Sequence, residues 1–482
     1  MHLSIIFKTI GLLLLVFSLT QIPPIFVDLF YGENHTYPFI YALFFTVISG
    51  IACYYPFRDS SSEFRIREGI IVVVSFWFIL SLFATIPFIT SNILNMGFSD
   101  AFFESMSGLT TTGATVISGL DNLPKSILYY RQQLQWLGGM GIIVLAVALL
   151  PMLGAGTMEL YHAESSGITK ERLTPKLTHS AKVLWFIYIG FTIVCALAYF
   201  LAGMSLFDAI GHSFSTVAIG GFSTHDESIG FFQSESIELI AMIFMFLAGI
   251  NFSLHFLAVR KKSIAFYWKD SEFKTYVLIL LVTTILVVSY LIFSGFYENS
   301  SDSLRHGLFQ SISIATTTGF VSTDFSVWPY FVPVVLIFAS FIGASAGSTG
   351  GGIKVVRVLL MFRLAMKEVR KFIHPRGQIN IKLNKSTVPE STLVSVWGFF
   401  SLYVIGFIII LVLLMFTGFD QVTAFSATAA TMNNLGPGLG DVAQNYGNIS
   451  DISKWILSFS MLLGRLEILT LMALLHKAFW RF

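Results

Sequence analysis

Threonine hydroxyls and glycine peptides recur at matched spacing in four stretches of the chain. They are DAFFESMSGLTTTGAT from Asp100, DAIGHSFSTVAIGGFST from Asp208, HGLFQSISIATTTGFVST from His306 and TAFSATAATMNNLGPG from Thr423. Each sets a glycine thirteen positions after its first residue: Gly113, Gly221, Gly319 and Gly436. The chemistry these runs offer is oxygen coordination. A cation leaving water needs its hydration shell replaced, and a ring of backbone carbonyls does this where the backbone turns them inward. Glycine permits the left-handed turn, and threonine adds hydroxyl oxygens. No Lys or Arg lies within a Thr/Gly run, which suits a cation. Glu104 and Asp324 lie close by and would concentrate cations at the mouth. The competing reading is close helix packing, which small residues allow in a bilayer. Four runs in register, each between two apolar spans, favour the ring.

The elements that must position these runs follow from composition. Of 482 residues, 55% are hydrophobic and 12% charged, too little charge to cover a soluble surface. Apolar runs of spanning length recur throughout, so the expected fold is an all-α polytopic membrane protein set in the lipid bilayer. Two leading spans fall at about 3–28 and 38–56, the first read as a retained helix. Four units then follow, each a span, a half-length segment, a Gly loop and a span. The expected divisions are 1–67 for the leading helices, then 68–153, 154–262, 263–370 and 371–482. The half-length segments are too short to cross and suit re-entrant helices whose loops face water.

With ten full spans and the amino terminus in the cytoplasm, all of the 29 Lys and Arg but Lys125, Arg131, Arg305, Lys454 and Arg465 fall inside. That bias sets the orientation and puts the four loops outside. The basic stretch 354–390 is either an ordinary positive-inside loop attracted to anionic lipid or a docking site for a cytosolic partner. Cys53 and Cys195 lie in apolar runs and read as buried small side chains. No nucleophile–base pair, metal cluster or nucleotide fingerprint stands out, so neither enzymatic chemistry nor nucleic-acid binding is expected.

Two features lie further along the third and fourth units. FIGASAGSTGGGIK, from Phe341 to Lys354, places five glycines within Gly343–Gly352 and should break its helix. It does not match the phosphate-binding GxxxxGK[ST] pattern. A packing kink and a loop that blocks the path remain as readings. Arg465 lies mid-span, where a charge is costly and faces a cavity or a partner. Either it pairs with a carboxylate or carbonyls of another span, or it projects into the path. Glu467 sits on another face and is a poor partner. His212 occupies the register position of Glu104 and Gln310 and reads as a polar contact of its half-helix. Asn251 and His255, four apart, read as one helix face bonding across helices.

TTTGA at Thr110–Ala114, AIGGF at Ala218–Phe222, TTTGF at Thr316–Phe320 and NNLGP at Asn433–Pro437 are similar to the degenerate K⁺-channel filters of the TrkH/KtrB/HKT superfamily of K⁺ transporters. The resemblance covers the whole chain, and the two leading helices look like the TrkH branch. It implies four pseudo-symmetric repeats around one pore, with a K⁺ filter formed by Thr111, Thr112, Gly113, Ile219, Gly220, Gly221, Thr317, Thr318, Gly319, Asn434, Leu435 and Gly436. It implies an intramembrane gate that includes Gly343, Gly347, Gly350, Gly351, Gly352 and Arg465. It also implies passive K⁺ and Rb⁺ conduction in preference to Na⁺, a homodimer in the bacterial inner membrane, and a cytosolic TrkA-type ring. ATP or NAD(H) belongs to that partner, since no motif here binds a nucleotide. Asn433 and Asn434 depart from the Thr pattern and make the ring asymmetric. A K⁺ symporter coupled to H⁺ or Na⁺ is the alternative; the loops carry no titratable group within their Thr/Gly runs, which favours passive conduction.

Overall fold

In a computed structural model, which describes residues 3–60, 66–148, 177–329, 331–384, 386–466 and 468–480, the apolar stretches are helices. The expected end of the span at 149–153, the division at 153/154, Glu467, and the basic residues Arg65, Lys170, Arg172, Lys176, Lys385 and Arg481 lie outside the described residues. Among those described, six unbroken helices are long and apolar enough to cross a membrane: Leu3–Tyr31, Tyr37–Phe57, Arg67–Thr90, Lys182–Leu201, Ser271–Ser294 and Glu390–Phe416. They are the two leading spans and the four that precede the half-length helices. The leading pair packs closely, because a Cβ at Gly11 would lie 2.8 Å from the carbonyl oxygen of Gly50.

The half-length helices are Phe98–Leu109, Leu206–Ala218, Ser300–Ala315 and Gln421–Met432. Ser205 caps the second by accepting from the Asp208 N–H, and Asp420 caps the fourth by accepting from the Val422 and Thr423 N–H groups. Such caps satisfy donors that the first turn leaves without partners.

The spans that follow the half-helices are less regular. The first, Lys125–Ala148, carries the polar run RQQLQ. The second bends by 92° between Glu235–Ala248 and Phe252–Arg260. Asn251 and His255 do not share the expected helix face. Asn251 stands at the break and caps the restarted helix, its side chain accepting from Ser253 N at 2.8 Å. His255 bonds across helices as expected, its Nδ1 lying 2.8 Å from the Tyr267 hydroxyl and its Nε2 2.9 Å from the Leu247 carbonyl. The N–H of Phe252, released by the break, donates to the carbonyl of Gly347 at 3.0 Å. The third span ends its first part at Ile342, where the Gly-rich run begins, and resumes at Val355–Ile373. The fourth consists of Asp451–Arg465 and Ile468–Leu475. A two-stranded hairpin, with Lys382 opposite Thr387 and Leu383 opposite Ser386, follows the third.

Candidate functional site

The four half-helices end in the same way. The residue two before each key glycine is left-handed: Thr111, Ile219, Thr317 and Asn434, with φ of 52°, 55°, 70° and 53°. The next N–H reaches back to a carbonyl five residues earlier: Thr112 to Ser107, Gly220 to Ser215, Thr318 to Ser313 and Leu435 to Ala430, at 2.7–2.9 Å. This is a Schellman-type closure. Left-handed backbone is costly for a β-branched residue such as Ile219 and persists only where its surroundings enforce it.

Beyond this closure the loops meet one another in chain order. A Cβ placed on Gly113 would fall on the carbonyl oxygen of Gly220, one on Gly221 on that of Thr318, one on Gly319 on that of Leu435, and one on Gly436 on that of Thr112. The cycle closes from the fourth loop to the first, so a single chain builds a four-membered ring. Each key glycine also has positive φ, between 79° and 100°. The residue type is therefore required twice, by conformation and by the neighbour's carbonyl. All four line one cavity of about 800 Å³, together with Asp226, Glu227, Glu238 and Asp324.

Buried polar side chains brace the return of each loop. Glu104 accepts from Val116 N and from the Thr115 hydroxyl, both at 3.0 Å. His212 Nε2 lies 2.9 Å from the Ser223 hydroxyl. Gln310 donates to the Thr323 carbonyl at 3.0 Å. Ser426, one position earlier in the register, accepts from Leu439 N at 2.8 Å. His212 is thus the half-helix contact expected. Glu104 is not a free acid at the mouth: it is fully buried and paired with Arg131 at 2.8 Å. That guanidinium also donates to the Ser223 carbonyl and the Thr115 hydroxyl, each at 3.1 Å, and so staples loops one and two. Gln135 clamps loop two from the same span, donating to Gly220 O at 2.5 Å and accepting from Phe222 N at 3.0 Å. Sequence reasoning placed Arg131 outside the membrane and passed over Gln135. The signal was the RQQLQ run itself, since polar groups within a span need buried partners.

In the fourth loop the side chains differ and the backbone does not. Asn434 donates to the Thr112 hydroxyl at 2.9 Å and to Met461 O at 3.0 Å. Asn433 donates to the Ser340 hydroxyl at 2.9 Å and accepts from the Tyr403 hydroxyl.

The Gly-rich run lies against the half-helix ends. Gly351 N donates to the Thr317 hydroxyl at 2.7 Å, Gly352 N to Asn433 O at 3.1 Å and the Thr349 hydroxyl to Val217 O at 2.9 Å. A Cβ on Gly351 would fall on Asn433 O, and one on Gly350 would come within 2.8 Å of Thr316 O. Gly343 folds back on Gly351 and Gly352, while Gly347 reaches the break in the second unit through Phe252. Arg465 is buried and donates to Thr349 O and Gly138 O, each at 3.2 Å. Its partners are therefore carbonyls, one of them in the Gly-rich run. The structure brings every expected site residue to the ring or to this run.

At the cavity rim, His225 contacts Asp121 and lies 3.5 Å from Asp208. Burial pushes its pKa down, but hydrogen bonds and charge from Asp208 and Asp121 outweigh this and raise it above the usual histidine value.

The chain is similar to known proteins along its length. The TrkH family profile, described as a cation transport protein, matches residues 35–479. The chain is 48% identical to the Trk system potassium uptake protein TrkH of Vibrio parahaemolyticus, 50% to that of Halomonas elongata and 46% to that of Escherichia coli, each over the full length of both chains. The crystal structure of the potassium transporter TrkH from Vibrio parahaemolyticus superposes with a TM-score of 0.93 at 47% identity, covering all of both chains.

Proposed function

The chain belongs to the TrkH family of cation transport proteins, and from that premise we propose that it takes up K⁺ by passive conduction through the ring of its four Gly loops. The observation that carries this reading is the closed cycle of carbonyls and glycines. The oxygens of Thr112, Gly220, Thr318 and Leu435 each stand against the key glycine of an adjoining loop. Thr111, Ile219, Thr317 and Asn434 form the next layer. The half-helices direct the carboxyl ends of their dipoles toward the space beneath, which favours a cation there. Asp324 and its acidic neighbours raise cation concentration in the cavity. An inward-negative potential supplies about 2.3 kcal/mol per charge per 100 mV, enough to drive uptake without chemistry in this chain.

The Gly343–Gly352 run is the gate of this path, and Arg465 holds it from beneath while setting a positive barrier. Support comes from its bonds to Thr317, Asn433 and Val217, each at or beside the end of a half-helix. The four repeats are the units 68–153, 154–262, 263–370 and 371–482. The protein works in the bacterial inner membrane with its amino terminus in the cytoplasm. It is a homodimer with one pore per protomer, and a TrkA-type ring that binds ATP or NAD(H) moves the gate. K⁺ and Rb⁺ are preferred to Na⁺.

The test is Rb⁺ uptake into K⁺-loaded liposomes that contain the purified protein. Uptake suppressed by external K⁺ and little by Na⁺ supports the reading. Uptake that appears only with an imposed pH or Na⁺ gradient overturns passive conduction in favour of a symporter.

A further inference from the structure

The two arms of the Gly-rich run converge on one carboxylate that the function described so far does not use. Glu272 stands in the first turn of the span Ser271–Ser294 and is buried, with 3% exposure. Its Oε1 accepts from Ala346 N at 2.7 Å and from Val356 N at 3.3 Å. Ala346 lies on the entering arm of the run and Val356 in the first turn of the helix that leaves it. A capping carboxylate would serve consecutive donors of one turn; this one joins donors from opposite arms of a helix break. The arms also touch directly, Val355 N donating to Ala344 O at 3.2 Å.

The span end that carries Glu272 is itself anchored. Asp270 accepts from Phe273 N at 2.8 Å and from the Asn384 amide at 2.8 Å, and Asn384 accepts from Ser271 N at 2.7 Å. Asn384 belongs to the turn of the hairpin Lys382–Thr387. The carboxylate therefore sits on a fixed post, joined on one side to the Gly-rich run and on the other to the hairpin.

We propose that Glu272 is the positioning residue that latches the Gly-rich run shut by holding both of its arms on one carboxylate. This rests on the reading of that run as the gate. Between the arms, Thr349, Gly351 and Gly352 bond to Val217, Thr317 and Asn433, so the middle of the run is held by the ring and its ends by Glu272. Movement that opens the path separates at least one arm from the carboxylate. A charged acceptor holds a backbone N–H more tightly than a neutral one. Replacing it by an amide therefore weakens the closed state while keeping the shape of the side chain.

The experiment uses the full-length protein in K⁺-loaded liposomes without a regulatory partner and measures initial Rb⁺ influx. Glu272→Gln is expected to raise influx about tenfold, the effect of one charged hydrogen bond, with Rb⁺/Na⁺ competition unchanged. A variant lacking Gly350–Gly352 raises influx on its own, and adding Glu272→Gln to it gives no further rise, because both act on one element. Influx raised by the deletion and unchanged by Glu272→Gln overturns the latch and leaves the gate standing. Influx unchanged by both, in protein of unaltered melting temperature, overturns the gate and the latch with it.

Thiol labelling of Ser348→Cys, in a Cys53→Ser, Cys195→Ser background, reads the latch independently of flux. Ser348 is fully buried, and its labelling is expected to be faster with Glu272→Gln and slower again with the charge-retaining Glu272→Asp. Equal labelling in all three overturns the latch. Where Glu272→Gln does not fold, Glu272→Asp decides: its carboxylate, one methylene shorter, no longer spans both arms, so labelling faster than wild type supports the latch and labelling equal to wild type overturns it.

Discussion

The Gly loops of the ring and the Gly-rich run beneath them use the same local backbone, glycine in left-handed conformation, and are held in opposite ways. Each ring loop is fixed by its half-helix closure, by a buried polar side chain beneath its return and by a neighbour's carbonyl one atom layer away. Loops one and two gain the Glu104–Arg131 pair as well. The Gly-rich run occurs once, in the third unit. Separate bonds to Thr317, Asn433, Val217, Arg465 and Glu272, and to Gly249 and Phe252 at the break of the second unit, hold it. A structure that must present oxygens at fixed spacing needs overlapping supports. An element that must leave needs supports that can be released singly. Backbone composition alone therefore does not separate a filter from a gate; the number and independence of the supports do.

The largest effect should come from breaking the ring's deepest support. Arg131→Met leaves Glu104 buried without its partner and should cost about 3–5 kcal/mol, read as a fall in melting temperature together with weakened Rb⁺/Na⁺ discrimination. Joint replacement Glu104→Gln, Arg131→Met should recover part of that stability. A double mutant no better than Arg131→Met alone would show that the pair is not what holds loop one to loop two.

Gly319→Ala comes next. Its Cβ falls on the carbonyl of Leu435 at a φ of 81°, and strain with overpacking should cost about 2–3 kcal/mol. Rb⁺ influx should fall while Na⁺ competes better, the reverse of what a change in the gate does. Arg465→Ala removes charged bonds to Thr349 O and Gly138 O. It should raise influx about tenfold with the ion preference kept; an unchanged rate in folded protein would place the support elsewhere.

The smallest effect is expected at His225. Its pKa in the folded protein lies above the ordinary value, so its stabilisation is complete below the unfolded histidine pKa near about 6.5 and is lost as pH rises through the folded value. Melting of the wild type should therefore approach that of His225→Gln as pH rises above about 6.5, with ion preference unchanged. A constant gap over that rise would show that the link to Asp208 and Asp121 does not depend on the proton.

Register, hydropathy and charge bias are properties of neighbouring residues, and they carried the reading far. Four glycines at equal offsets, spans of membrane length and a broken third span were all legible without coordinates. What sequence could not supply were partners distant along the chain. Asn251 and His255 fit one helical face by spacing, yet the backbone breaks there because Gly347, far along the chain, takes the released N–H of Phe252. Glu104 looked like a free acid until Arg131, in a span of its own unit, was found against it. By itself the sequence determined that four oxygen-rich loops stand in register within a membrane, since periodicity and transfer energy act locally. Only the tertiary structure decided which carbonyl faces which glycine, which charges are neutralised and what holds the Gly-rich run, because those depend on contacts between segments that lie tens to hundreds of residues apart.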